Sequence, residues 1–329
     1  MKVLSRPLLA ALAVVLAAAL PATLAACGDD SGSPEPAASP DKVTLQLNWF
    51  HEAEFVGYYV AAAKGFYGGG DLDVTILEGG PGEPAIDSVL DGRADFAISS
   101  FGEQRDAVAE DLPTVALMSA FQIPPLVIFS LAESGIASPA DLAGKRVGVT
   151  TDYWKDVLDE TLQAAGVKPS RVAAIPVEAG DLQPLYDGTV DAWLGYAQDE
   201  PIRAEVEGHR VRNVFPADYG VGGYEGLLLA DRQTVEGDPE LVRRFVQASQ
   251  QGWRYAVEHP DEAARILLDW APEPGLEFQR LAVRAVAPLV DAPQAVIGWI
   301  DAERWRLLMA DDFDPANPGF TTLFSASAP

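Results

Sequence analysis

Short apolar segments alternate with amphipathic ones along the first part of the chain. Residues 43–48 and 72–77 alternate between apolar and polar positions, as half-buried strands do. Residues 55–64 have helical spacing and stop at Gly65, and the apolar segment 94–99 precedes another helical segment. Repeated strand–helix units of this kind predict a mostly parallel sheet covered by helices.

A second series of strands and helices follows Pro124 and Pro125. Its predicted strands lie at 126–131, 144–149, 172–177 and 190–195. From Pro239 onwards the pattern is helical. The apolar run 227–230 can return the chain to the first series, so we expect a discontinuous first lobe, with crossovers near 126–131 and 226–231. Ligands of such sheets bind at the carboxyl ends of strands, often in a cleft between lobes.

The first 40 residues have a different character. Lys2 and Arg6 precede an apolar run, and Leu24-Ala25-Ala26-Cys27 follows it. This arrangement resembles bacterial lipoprotein signals, in which the Cys is lipidated and becomes the mature N-terminus. We therefore expect a signal peptide over 1–26, then a lipidated Cys27 and a flexible Gly/Ser/Pro-rich linker over 27–40. An ordinary signal peptide or an N-terminal membrane anchor is the alternative.

Charge and composition narrow the classes of function. The net charge of -26 argues against binding to nucleic acid and against a basic face that binds membranes. The chain has 1 Cys, in the predicted signal, so an intramolecular disulfide is excluded. Its 3 His have no metal-ligand spacing, and no nucleophile or phosphate-loop motif is present. We therefore expect neither a metal, nor a cofactor, nor an enzymatic activity.

A series of individually weak motifs runs along residues 43–229 in a characteristic order. They are Trp49, Gly57-x-Tyr59-x-Ala61, Lys64-Gly65-Phe66-Tyr67, Gly79-Gly80, Gly92-x-Ala94-Asp95-Phe96, Asp141-Leu142-x-Gly144-Lys145, Val190-Asp191-Ala192 and Asp218-Tyr219-Gly220. The series resembles the substrate-binding proteins of ABC importers, in the branch that includes binders of thiamine pyrimidine precursors, riboflavin, sulfonates and nitrate.

The resemblance implies an α/β, two-lobed periplasmic-binding-protein-like (type II) fold with a two-stranded hinge. Lobe 1 would comprise 41–126 plus 229–329, and lobe 2 would comprise 127–228. The protein would be a monomeric extracytoplasmic lipoprotein, anchored by lipid to the outer face of the cytoplasmic membrane. It would close on a small molecule and deliver it to a permease whose ATPase is a separate chain.

The sequence departs from the pyrimidine-precursor binders at one motif. Those proteins often have Asn-x-x-His-x-Gly after the Trp, whereas this chain has Glu52-x-Glu54-Phe55-x-Gly57. The expected ligand is a small planar heteroaromatic resembling a thiamine pyrimidine precursor. Riboflavin and an alkanesulfonate or nitrate are alternatives. A pyrimidine-synthesising enzyme is a more remote one, since its fungal members use iron and a Cys-rich segment that this chain lacks.

Five candidate ligand contacts belong to the predicted first lobe or its hinge. Trp49 ends the first strand and can stack on a planar ring, or it is a core residue. Ser99, Ser100 and Phe101 lie where a strand gives way to a helix, so their hydroxyls and free N–H groups can bind a polar ligand edge, or Ser100 simply caps the helix. Tyr224 lies near the second crossover and can add an aromatic contact.

Three candidates belong to the predicted second lobe. Tyr153 lies in the loop that the resemblance places against the ligand. Tyr196 and Glu200 follow the strand that ends near Gly195. In pyrimidine-precursor binders this loop carries an acidic residue that contacts the amino groups of the ligand, and Glu200 matches it best. Trp49 and Glu200 would therefore act on one ligand from opposite lobes.

Overall fold

Two five-stranded sheets organise the computed structural model, which describes residues 39–82, 84–292 and 296–325. The strands are β1 Asp41–Gln46, β2 Leu72–Leu77, β3 Phe96–Ser99, β4 Thr114–Phe121, β5 Leu126–Leu131, β6 Arg146–Val149, β7 Ala173–Pro176, β8 Ala192–Tyr196, β9 Val211–Val214 and β10 Glu225–Asp231. The predicted signal peptide, Cys27 and the linker up to residue 38 lie outside the described residues.

Both sheets are mixed: four of the five strands in each run in the same direction, as expected for a mostly parallel sheet, and one strand in each is antiparallel. The first has the order β2-β1-β3-β10-β4, and the second has the order β7-β6-β8-β5-β9. The antiparallel strand of the first sheet is β10, between β3 and β4, and that of the second sheet is β5, between β8 and β9. The reason is that β5 and β10 each arrive from the other sheet instead of through a helical crossover within their own.

Helices cover both sheets. They are α1 Val56–Ala63, α2 Phe66–Gly69, α3 Ala85–Leu90, α4 Phe101–Ala109, α5 Asp152–Ala164, α6 Gln183–Tyr186, α7 Glu200–Val206, α8 Arg232–Gly237, α9 Pro239–Glu258, α10 Pro260–Leu267, α11 Leu276–Val290 and α12 Ala302–Met309. None of the helices in the described residues has the length and apolar character needed to cross a membrane. We call the first sheet with its helices lobe 1, and the second sheet with its helices lobe 2.

The close contact between α1 and α9 fixes the start of α1. A Cβ atom on Gly57 would lie 2.1 Å from the ring of Trp253, and one on Gly252 would lie 2.1 Å from the carbonyl oxygen of Gly57. Only glycine therefore permits this approach. The turn that precedes α1, and with it Glu52 and Glu54, is held in place by this packing.

The core of lobe 2 positions α5 in the same way. Leu158 and Leu162 of this helix are fully buried against Ile128 of β5 and Val147 of β6. Thr151 caps α5 by accepting a hydrogen bond from the N–H of Trp154 at 3.2 Å. The first turn of α5 therefore lies at the carboxyl end of β6.

The chain crosses between the sheets twice. The first crossing, residues 122–125, lies between β4 and β5, and the second, residues 215–224, lies between β9 and β10. The predicted crossovers at 126–131 and 226–231 are instead strands within the sheets, because each pairs on both sides as soon as it arrives. The lobe boundaries at 126/127 and 228/229 stay a prediction.

Candidate functional site

Polar and aromatic side chains follow the carboxyl ends of parallel strands in both sheets. In lobe 1, Trp49 follows β1, and Ser99 ends β3. In lobe 2, Tyr153 follows β6, and Tyr196 ends β8. This edge is where ligands bind to open α/β sheets. The contacts described next link the two lobes here, so the candidate site is the cleft between the sheets.

Two carboxyl groups of lobe 1 lie close together in the turn before α1. Glu52 precedes the short 3-10 helix Ala53–Phe55, and Glu54 lies within it and is 4% exposed. The two carboxyls lie close enough for each to affect the pKa of the other. Burial raises the pKa of Glu54 to about 7 and raises that of Glu52 well above its usual range, with a further contribution from Asp199 of lobe 2. Near neutral pH the pair therefore retains a proton that an exposed pair would lose.

Two tyrosines of lobe 2 face the carboxyl groups of lobe 1. Tyr153 lies in the first turn of α5, not in a loop as predicted, and its hydroxyl donates to Oε1 of Glu225 at 3.1 Å. Glu225 begins β10 and is 2% exposed, and burial followed by the charge of Glu54 raises its pKa to about 8. Burial, then Glu225 and Glu54, also raises the pKa of Tyr196. Groups of both lobes thus meet in the cleft.

The two candidate serines form hydrogen bonds within lobe 1 at the start of α4. Ser100 is its N-cap, since its hydroxyl accepts from the N–H of Glu103 at 3.2 Å. Oε2 of Glu103 accepts in return from the N–H of Ser100 at 3.1 Å and from the hydroxyl of Ser99 at 2.6 Å. Phe101 is 6% exposed and packs edge-to-face on Trp305, with 5.1 Å between ring centroids. Its ring therefore lies in the core of lobe 1.

Glu200 begins α7 and is 5% exposed. Its Oε2 accepts from the N–H of Tyr196 at 2.9 Å, and a Cβ on Gly195 would lie 2.5 Å from the same oxygen. Burial, and then the charge of Asp199, raise the pKa of Glu200 to about 8. One oxygen of the Glu200 carboxyl thus accepts a hydrogen bond from the backbone at the end of β8. Glu200 belongs to lobe 2, opposite Trp49 in lobe 1.

Trp49 and Tyr224 differ in their availability to a ligand. Trp49 is partly buried and packs edge-to-face on Phe50, with 5.3 Å between centroids. Tyr224 is 1% exposed, its hydroxyl accepts from the N–H of Asp301 at 2.9 Å, and the guanidinium of Arg304 lies 4.3 Å above its ring. Tyr224 is thus a core residue of lobe 1, whereas Trp49 retains surface beside the cleft.

Sequence reasoning missed four carboxyl groups as site residues: Glu52, Glu54, Glu103 and Glu225. The Glu-x-Glu spacing after the first strand was a visible signal for the first two. Among the described residues, no Lys, Arg or His nitrogen lies within 4.0 Å of these carboxyls or of Glu200. Nor does the described part contain a group of three His, Cys, Asp or Glu side chains that could hold a metal ion.

The two lobes, the double crossing and the cleft between the sheets define a periplasmic-binding-protein-like fold of type II. The periplasmic aliphatic sulphonate binding protein SsuA from Escherichia coli has a similar structure, with a TM-score of 0.63 over 75% of this chain and 84% of that one. The two are 17% identical in sequence, so the likeness concerns the fold. It confirms the predicted fold class.

The chain belongs to the NMT1/THI5-like family, whose sequence profile matches residues 52–263. It is 30% identical to the formylaminopyrimidine-binding protein of Halalkalibacterium halodurans, over 86% of this chain and 87% of that protein. It is 28% identical to the riboflavin-binding protein RibY of Chloroflexus aurantiacus, over 89% and 86%. A relative from Legionella pneumophila, 27% identical over 70% and 74%, is named a 4-amino-5-hydroxymethyl-2-methylpyrimidine phosphate synthase. The predicted resemblance is therefore confirmed, and the family contains proteins named as binders and as synthases.

Proposed function

We propose that this protein is the substrate-binding component of an ABC importer and that it captures a planar nitrogen heteroaromatic rich in N–H donors, such as an aminopyrimidine. The observation that carries the proposal is the set of carboxyl groups between the lobes. Glu54 and Glu225 are almost fully buried, with no cation of the described residues within 4.0 Å. Buried carboxyls require hydrogen-bond donors or positive charge, and a ligand with amino groups supplies both.

The aromatic side chains at the cleft support a flat ligand. Trp49 borders the cleft from lobe 1, and Tyr153 and Tyr196 border it from lobe 2. Stacking on such rings contributes roughly 0.5–1.5 kcal/mol per pair beyond the burial of area. A pyrimidine or a larger flavin ring suits this lining, which keeps riboflavin as the second candidate.

The same carboxyl groups argue against a sulfonate or nitrate. An anion would have to approach several acidic groups without a Lys or Arg of the described residues in contact with them. A bound anion would thus lack a cation to offset the cost of leaving water, and any carboxyl that ionises beside it would add repulsion. The similarity to sulfonate-binding structures therefore extends to the fold but does not favour that ligand.

We infer binding without catalysis. The single Cys is Cys27, and the three His are dispersed through the fold. His51 is hydrogen bonded to the hydroxyl of Tyr59, while His209 stacks on Tyr186 with 4.0 Å between centroids. The remaining role follows from the fold: a ligand that contacts both lobes favours their closed arrangement, which a permease can then recognise. Lipid attachment through Cys27 would hold the protein beside that permease.

The proposal is tested by identifying the ligand and its fate. Ligand-stripped protein is screened by thermal shift against aminopyrimidines, their N-formyl derivatives, riboflavin, alkanesulfonates and nitrate. A ligand at 100 times its dissociation constant should stabilise the protein by about 2.7 kcal/mol. Stabilisation by sulfonate or nitrate but by no heterocycle would contradict the proposed ligand class.

Two controls sharpen the screen. Glu54→Gln should weaken binding of an aminopyrimidine, whereas Glu207→Gln, at an exposed position away from the cleft, should not. Mass spectrometry of the heterocycle after prolonged incubation should recover it unchanged. Chemical conversion of the heterocycle would instead favour an enzyme.

A further inference from the structure

One side-chain hydrogen bond joins the two lobes directly within the described residues. The hydroxyl of Tyr153 in lobe 2 donates to Oε1 of Glu225 in lobe 1 at 3.1 Å. The same ring reaches a second element of lobe 1, since a Cβ on Gly102 would lie 3.5 Å from its Cε2 atom. Tyr153 thus bonds to the start of β10, and its ring lies beside the start of α4.

Tyr153 does not belong to the apolar core of its own lobe. Its neighbour Trp154 packs against that core, whereas Tyr153 remains 38% exposed. The packing of lobe 2 therefore does not explain the position of the Tyr153 ring. Its described side-chain hydrogen bond is made to the other lobe.

Glu225 is held rigidly beside both crossings. It is the first residue after the second crossing, and it pairs in the sheet with Phe121, the last residue before the first crossing. Its carbonyl oxygen accepts from the hydroxyl of Ser119 at 3.1 Å. Gly226 follows with φ of +61°, and a Cβ there would lie 3.1 Å from the ring of Phe121. The backbone that carries the carboxyl therefore cannot shift freely toward a departing Tyr153.

We propose that Tyr153 and Glu225 form a latch that holds the two lobes closed in the absence of ligand. The contact exists only while α5 lies against the start of β10, so opening of the cleft must break it. The carboxyl of Glu225 has no other side-chain hydrogen bond within the described residues. A hydrogen bond of this kind changes an equilibrium by roughly tenfold or more, so its loss moves the ligand-free protein toward the open form. This inference goes beyond the proposed function and does not depend on the identity of the ligand.

The test measures the shape of the ligand-free protein by small-angle X-ray scattering. Tyr153→Phe removes the hydroxyl and keeps the ring, so the closed-to-open ratio should fall about tenfold and the radius of gyration should increase. Glu225→Gln keeps an oxygen that accepts from Tyr153 and should remain as closed as the wild type. Tyr186→Phe is the matched control, since it removes a tyrosine–glutamate hydrogen bond of 2.6 Å, to Glu207, within lobe 2.

Each outcome decides the proposal. It holds if the wild type scatters as the closed structure and Tyr153→Phe expands, while Glu225→Gln and Tyr186→Phe do not. It fails if Tyr153→Phe keeps the wild-type radius, if the wild type is already as open as that variant, or if Tyr186→Phe expands equally. Tyr153→Ser, which removes the ring contact with Gly102 as well, should open at least as far. Circular dichroism confirms that each variant is folded before its radius is compared.

Discussion

The wild-type protein should lose stability as the pH rises. Glu225→Gln should make that loss smaller. Burial raises the pKa of Glu225 from 4.5 to about 8, so the folded protein keeps a proton that the unfolded chain has released. Between these two values the unfolded state binds fewer protons than the folded state. The free energy of unfolding therefore falls as the pH rises, down to the level reached above pH 8. Gln stays neutral and can still accept from Tyr153.

The size of the effect follows from the two pKa values. Glu225 is 2% exposed, so solvent gives little screening, and the full difference is on the order of 5 kcal/mol. The part that falls between pH 5 and 7.5 is on the order of 3 kcal/mol. For a domain of this size each kcal/mol corresponds to roughly 2 °C or more in melting temperature. The melting temperature of Glu225→Gln relative to wild type should thus rise by about 6 °C over this pH interval.

The assay is urea and thermal unfolding of ligand-stripped protein at pH 5 and pH 7.5. Glu207→Gln is the control for the substitution itself, because that exposed carboxyl also accepts from a tyrosine hydroxyl, at 2.6 Å. Glu52, Glu54 and Glu200 contribute slopes of the same sign to the wild type and to both variants. If wild type and Glu225→Gln lose stability in parallel, burial of an ionisable Glu225 is the wrong explanation.

Three other substitutions test separate parts of the structure. Gly57→Ala should destabilise the protein by about 1–3 kcal/mol or more in urea unfolding, because the new Cβ meets the Trp253 ring, whereas Gly68→Ala, with no atom within 4 Å, should not. Trp49→Ala should weaken binding of the heterocycle found in the thermal-shift screen about tenfold by calorimetry while the melting temperature of the unliganded protein changes little; wild-type affinity would remove Trp49 from the site. Cys27→Ala should release the protein from the membrane fraction of its cells, and unchanged membrane association would contradict lipid attachment at this residue.

Local patterns in the sequence were sufficient for most elements of the fold. β2 lies at 72–77 as predicted, because its alternation of apolar and polar residues reflects one buried face. β9, Val211–Val214, was missed because it is an edge strand in which only Val214 is buried. The antiparallel direction of β5 and β10 was also missed. The direction of a strand depends on which sheet it comes from and leaves no local pattern in the sequence.

The candidate site was harder to predict, because its contacts join distant parts of the chain. Phe101 and Tyr224 follow elements that border the cleft. The side chains of these two residues nevertheless lie in the core of lobe 1, where they contact Trp305 and Asp301 near the C-terminus. The burial of Glu225 depends on the tertiary fold, and its partner Tyr153 lies 72 positions earlier. A glutamate at the start of a strand would ordinarily be read as exposed. Spacing located only the approximate ends of the strands: Tyr196 is the last residue of β8, whereas Trp49 follows the end of β1 at Gln46 instead of ending the strand as predicted.

The position of β10 between β3 and β4 has a consequence for the order in which the chain can fold. The strands of lobe 2 lie in one continuous stretch, from Leu126 to Val214, and all of them emerge before β10. An emerging or translocating chain that ends before Glu225 leaves the facing edges of β3 and β4 without their shared neighbour. Such edges invite wrong pairing. Lobe 2 can therefore fold first on its own strands, and the arrival of one late strand completes lobe 1.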